Sequence, residues 1–126
     1  MAVATRSPAS PPVLDGSAVL RKALQRAGEE LGLTAQEVAQ AVGKSRTFFE
    51  AARAHTRIDP HTRQMIALVL RLHRSLSALV GDDIALMRHW IATANRHTGG
   101  CPREQLQHPE QLVELVQYLD AMRGRP

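Results

Sequence analysis

The sequence predicts an all-α chain, and three observations predict it. Only Phe48, Phe49, Trp90 and Tyr118 are aromatic among 126 residues, so Leu, Val, Ile, Ala and Met must fill the interior, as in helical bundles rather than sheets. Apolar residues recur at three- and four-residue spacing along most of the chain. Ser, Thr and Asp stand before these runs and Gly after them, the punctuation of helix starts and stops. A chain this short has room for one compact unit, or two small ones sharing a core, which argues against an enzyme with a roomy cleft.

The opening residues 1–16, with Ser7, Pro8, Ser10, Pro11 and Pro12, read as a disordered tail, because proline opposes helix and little apolar surface is available to fix it. Ser17 reads as the N-cap of a first helix carrying Leu20, Leu24, Ala27 and Leu31 on one face, and Gly32 stops it. Thr34 caps a second helix and Glu37, three residues on, completes a capping box. Val38, Ala39 and Val42 form its inner face; Gly43 ends it at a left-handed turn. Ser45 is expected to cap a third helix running to about Ala54, with Phe49 and Ala52 inward and Phe48 left for another core layer or a partner. Two short helices joined at Val42-Gly43-Lys44 make a helix-turn-helix arrangement over residues 17–58.

Past the Ile58-Asp59-Pro60 break, residues 59–80 predict a long connecting and dimerisation helix from about Pro60 to Val80, about 30 Å at ~1.5 Å per residue. It carries two apolar stripes, Ile66, Val69, Leu76 and Val80 beside Met65, Leu68, Leu72 and Leu79. That surface exceeds what one neighbour needs, so one stripe is expected to close the N-terminal part and the other to meet the C-terminal part or a second copy. Gly81-Asp82-Asp83 breaks it and opens residues 81–126: a helix with Ile84, Met87, Trp90 and Ile91 ending near Asn95, a Gly99-Gly100-Cys101-Pro102 turn, a short helix through Leu106, and a last helix after Pro109 with Leu112, Val116, Leu119 and Met122, stopping at Gly124.

Charge is distributed unevenly. Lys44 to Arg74 holds seven Lys/Arg against two acids, Glu50 and Asp59, whereas Ser75 to Met122 holds three Arg against six acids. A basic middle beside an acidic C-terminal part suits two different partners, one of them polyanionic. Cys101 is the sole cysteine, so a reducing cytoplasm is the simplest setting. No stretch approaches the roughly 20 apolar residues of a membrane span, and no signal peptide is visible. His89, His97, Cys101 and His108 match no standard zinc spacing, Cys101 has no paired base, and no phosphate loop appears. No metal, cofactor or catalytic residue is expected.

Residues Ala35 to Ala54, with Ala39 and Gly43 at the small and turn positions, resemble the repressor-type helix-turn-helix of the Xre family. The same spacing also serves an ordinary helical hairpin. The resemblance implies a third helix entering the major groove, with Arg46 and Thr47 at base edges, Glu50 accepting from a cytosine amine, and Gln36, Lys44 and Ser45 on phosphates. Arg53 and Arg57 extend that basic face, each also readable as a solvated surface charge. A two-fold homodimer would set two such helices about 34 Å apart on near-palindromic operator DNA.

Trp90, Asn95, Gly100, Pro102, Leu106, Val116, Leu119 and Gly124 resemble the C-terminal toxin-binding domain of Xre/MbcA/ParS-type antitoxins, with Ala94 where a proline is usual and no leucine between Arg96 and Gly99. The resemblance implies an antitoxin that covers the active site of a RES-domain, NAD-consuming toxin in a hetero-oligomer. The inhibitory element would be Glu110 to Pro126, with Tyr118, Met122, Arg123 and Arg125 toward the toxin. Trp90, Leu106 and Leu119 serve equally well as core, and Asn95 and Gly100 as turn geometry. The competing readings are a free-standing regulator whose C-terminal part only dimerises it, and an interaction adaptor without DNA binding.

Overall fold

The computed structural model describes residues 15–124, so residues 1–14 of the expected N-terminal tail, and Arg125 and Pro126, lie outside the described residues. Six α-helices follow in order: α1 Ser17–Glu30, α2 Ala35–Ala41, α3 Pro60–Leu79, α4 Ile84–Ala92, α5 Pro102–Gln105 and α6 Pro109–Arg123. The all-α expectation holds, with no strand among the described residues.

Most helix ends fall where side chains satisfy the backbone groups a helix leaves open. At α2 the capping box is complete: Thr34 Oγ1 accepts from the Glu37 N–H at 3.1 Å, and Glu37 Oε1 accepts from the Thr34 N–H at 2.9 Å. Asp59 caps α3 through the Thr62 N–H, and Asp83 caps α4 through the Leu86 N–H. α1 and α2 close alike, with Gly32 (φ 78°) and Gly43 (φ 79°) left-handed and the next residue donating back to Gly28 O and Ala39 O. Substituting either glycine would strain the turn.

The start of α1 differs from expectation. Gly16 precedes it, and Ser17 is the first helical residue, fully buried, its hydroxyl accepting from the Ile58 N–H at 3.0 Å and from Arg63 at 3.0 Å. Asp15 caps the end instead, accepting from the Ser17 N–H at 3.0 Å. The Ser17 side chain foremost, with this backbone bond and the Arg63 guanidinium, holds the Asp15 carboxyl below its ordinary range. α4 ends at Ala92, earlier than expected, because Thr93 turns extended.

α3 forms the spine. Met65 and Leu72 from one stripe and Ile66, Val69 and Leu76 from the other are buried, and the helix packs against α1, α4 and above all α6. Both stripes are therefore used within the chain; Leu79 alone of the eight remains exposed, at 40 %. α6 returns Leu112, Leu115, Val116 and Leu119 to the same core. A contact the sequence reading did not single out joins α1 to α2: a methyl group on Gly28 would lie 2.2 Å from Val38 Cγ2, so only glycine permits this approach.

Candidate partner-binding surfaces

The expected third helix is not a helix. Arg46–Phe49 and Ala51–Arg53 are two 3₁₀ turns separated by Glu50, whose backbone is extended (φ −69°, ψ 147°). Phe48, Glu50, Arg53, Ala54 and Thr56 each donate their N–H three residues back, none four. Two causes are visible. Ser45 does not cap, because its hydroxyl pairs with Thr47 Oγ1 at 2.8 Å rather than with a backbone N–H. From α1, the buried Arg21 reaches into the segment: Nε donates to Phe48 O at 3.0 Å, Nη1 donates to Thr56 O at 2.6 Å, and the guanidinium lies 4.4 Å over the Phe48 ring. Phe48 O is the acceptor that the Ala52 N–H would need in an α-helix.

The inward face changes accordingly. Phe48, left unplaced by the sequence, is the buried aromatic; Phe49 is half-buried with its ring edge-on at 5.3 Å, and Ala52 is exposed. Burial depresses the Arg21 pKa, the nearby charge of Arg53 adding to the effect, yet cation–π stacking and two carbonyl acceptors keep the guanidinium satisfied.

Gln36, Lys44, Ser45, Arg46, Thr47, Glu50 and Arg53 are all exposed. Lys44 pairs with Asp59 at 3.4 Å and Arg57 with Asp15 at 3.3 Å. Arg46 and Arg53 have no acidic partner among the described residues. A four-residue 3₁₀ turn offers little dipole, so any phosphate contact here comes from side chains rather than from a helix end.

In the C-terminal part, Pro102 and Leu106 are buried and Trp90 packs half-buried on the core. Asn95 organises the turn: its N–H donates to Gly100 O at 2.8 Å, its carbonyl accepts from Gly99 at 2.9 Å, and its side-chain oxygen accepts from the His97 N–H at 2.7 Å. Gly100 is narrowly confined, since a methyl there would meet Gln105 Nε2 at 3.0 Å. These five residues build the unit. Tyr118 is half-buried and stacks on His97, ring centroids 6.3 Å apart. Met122 and Arg123 lie exposed at the end of α6, the Arg123 guanidinium donating to Ser75 Oγ at 3.1 Å. Beside them the Ser75 hydroxyl donates to Asp120 at 2.6 Å and Arg71 pairs with the same carboxylate. The Ser75 hydrogen bond foremost, with Arg71, lowers the Asp120 pKa.

Leu86 was missed. It is 52 % exposed on α4, and the signal was present: Ile84, Met87 and Ile91 share a face at helical spacing, which leaves Leu86 out of phase.

Arg88 donates to Glu29 O at 2.8 Å, Arg103 to Gly32 O, and Gln107 to Glu37 O at 2.9 Å. The C-terminal helices are thus keyed to the ends of α1 and α2. Together the six helices form one helical unit. Residues 75–125 match the antitoxin Xre/MbcA/ParS C-terminal toxin-binding domain. The match supports an antitoxin role in a toxin–antitoxin pair, with a toxin as partner. The matched range begins at Ser75, inside α3, and so includes the Ser75–Asp120–Arg123 cluster. No curated protein sequence matches the chain. No described helix is long and apolar enough to cross a membrane.

Proposed function

We propose that the chain is the antitoxin of a type II pair whose toxin is a RES-domain, NAD-consuming enzyme, neutralised in the cytoplasm by the C-terminal helices seated over its active site. The observation that carries this reading is the family match over residues 75–125, on a unit that leaves Leu86, Met122 and Arg123 facing outward. Trp90, Asn95, Gly100, Pro102 and Leu106 shape that surface; Tyr118, Met122, Arg123 and Arg125 are the residues assigned to the toxin. Leu86 joins them, because an apolar side chain this exposed gains most from a covering partner.

Removing α6 is a poor test, since four of its side chains are core. The informative experiment co-expresses the chain with the neighbouring open reading frame and compares the native protein with Leu86→Asp and Met122→Asp. Rescue of growth and co-purification by the native chain, lost in these surface variants with their melting temperatures unchanged, is the expected result. Variants that protect as well as the native chain would remove this surface from the interface. Loss of NAD in cells expressing the neighbour alone identifies the toxin class.

A second reading is favoured by Arg46 and Arg53, exposed and without an acidic partner among the described residues: contact with the pair's own operator DNA through Gln36, Lys44, Ser45, Arg46, Thr47, Glu50 and Arg53. Homodimerisation, which places two such surfaces on one duplex, is read by sedimentation at micromolar concentration.

A further inference from the structure

Resting on that DNA reading, we infer that this protein holds duplex DNA by its sugar–phosphate backbone alone, through Lys44, Arg46 and Arg53, and does not read base sequence. Base readout in a helix-turn-helix needs an α-helix long enough to lie in a groove about 12 Å wide and to present several side chains to successive base edges. Here the corresponding residues form turns of four and three residues with an extended Glu50 between them. In the first turn the third residue, Phe48, is buried and the fourth, Phe49, lies half-buried against it, so only Arg46 and Thr47 of these four face outward. The exposed residues of the stretch, 43–47 and 50–53, are divided by Phe48 and Phe49 and lie on two short turns rather than along one face of an α-helix.

The segment is not free to wind into a helix. Arg21 holds Phe48 O and Thr56 O from α1, and Phe48 is locked beneath its guanidinium. An α-helical register would need the Phe48 carbonyl for the Ala52 N–H and would swing Phe49 inward in place of Phe48, emptying a filled core position. The exposed cations are Lys44, paired with Asp59, and Arg46 and Arg53, with the Ser45 and Thr47 hydroxyls beside them and Glu50 the one acid in the stretch. Such cations and hydroxyls position a protein on phosphates without carrying sequence information.

The test uses the full chain and fluorescence anisotropy on two duplexes of equal length, one from its own promoter and one scrambled. The expected result is micromolar or weaker binding to both, equal within about threefold, with log K falling against log salt at a slope near 2 to 3 per chain. A sequence reader would favour its site by at least about a thousandfold; that preference overturns the inference while keeping the DNA reading. No binding to either duplex at low salt overturns both. The double variant Arg46→Glu, Arg53→Glu should lose affinity for both duplexes alike and reduce the slope by about two, while its melting temperature and toxin co-purification match the native protein. Weakened binding to the promoter duplex only would contradict backbone-only contact.

Discussion

The two irregular stretches that carry the expected partner residues are held by opposite means. In the turn at Asn95–Gly100 nearly every partner is local: Asn95 pairs with the backbone of His97, Gly99 and Gly100, and the Thr98 hydroxyl donates to Asn95 O and Gly100 O. In the Ser45–Thr56 stretch the controlling group is Arg21, 27 and 35 residues distant from the carbonyls it holds. The first shape belongs to its own sequence and the second is imposed by packing. Damage to Arg21 should therefore spread through the N-terminal half, and damage to Asn95 should stay in one loop.

Arg21→Met gives the largest expected effect. It retains the aliphatic stem but removes two charge-assisted hydrogen bonds and a cation–π contact at a site only 7 % exposed, a loss of about 2–4 kcal/mol. Chemical denaturation reads the total, and hydrogen exchange should place the lost protection at Phe48–Thr56 rather than in α6. Uniform loss across both halves would break the contrast. Gly28→Ala comes next: the added methyl collides with Val38, and the overpacking of about 1–3 kcal/mol outweighs the ~1 kcal/mol gained in helix propensity only if the α1–α2 approach cannot relax. A stabilised Gly28→Ala variant would show that it can.

Asn95→Ala should cost about 1 kcal/mol, since it removes the one hydrogen bond from the His97 N–H to Asn95 Oδ1 and leaves the backbone pairs with Gly99 and Gly100 in place. Its sharper readout is functional. The turn sets the angle between α4 and α5, so toxin co-purification should weaken more than stability does, whereas Arg21→Met should leave toxin binding intact in the folded fraction. An Asn95→Ala variant that binds toxin normally would reduce the asparagine to a loop stabiliser.

The same contrast explains what the sequence disclosed. The capping box at Thr34 and Glu37, the break at Ile58-Asp59-Pro60, the break and cap at Gly81-Asp82-Asp83, and the glycine stops at Gly32 and Gly43 all act within about five residues, so a linear reading finds them. The α3 stripes were legible because helical spacing forces them onto one surface. Arg21 was not legible: on a helix surface an arginine reads as solvated, and nothing nearby shows that a phenylalanine and two carbonyls will come to meet it. Ser45 misled for the related reason that a hydroxyl can pair with a neighbouring threonine as readily as with the backbone. In the C-terminal part the residues that resemble the toxin-binding family were found, but only the structure separates those that build the unit, such as Leu106, from those that face outward, such as Met122.

The smallest effect concerns acid, and it compares carboxylates at the two ends. Asp15 and Asp59 pin the N-terminal half; Asp120 ties α6 to α3. All three have pKa values below the ordinary 3.8, each for the same first reason, a hydrogen bond from a nearby Ser or Thr hydroxyl. A carboxylate with a depressed folded pKa contributes its full stability above the unfolded value, and that contribution disappears as pH falls toward the folded one. The melting temperature should therefore be flat from about pH 7 to 5 and decline below about pH 4. Asp120→Asn keeps a side-chain acceptor for Ser75 but loses the charge opposite Arg71, so it should melt below the native protein at neutral pH and converge with it as the pH falls through the lowered Asp120 pKa. Fluorescence of Trp90, the sole tryptophan, follows that convergence on the C-terminal side. Curves that run parallel down to low pH would mean that Asp120 contributes through packing rather than charge, and that the acid sensitivity resides in the N-terminal half with Asp15 and Asp59.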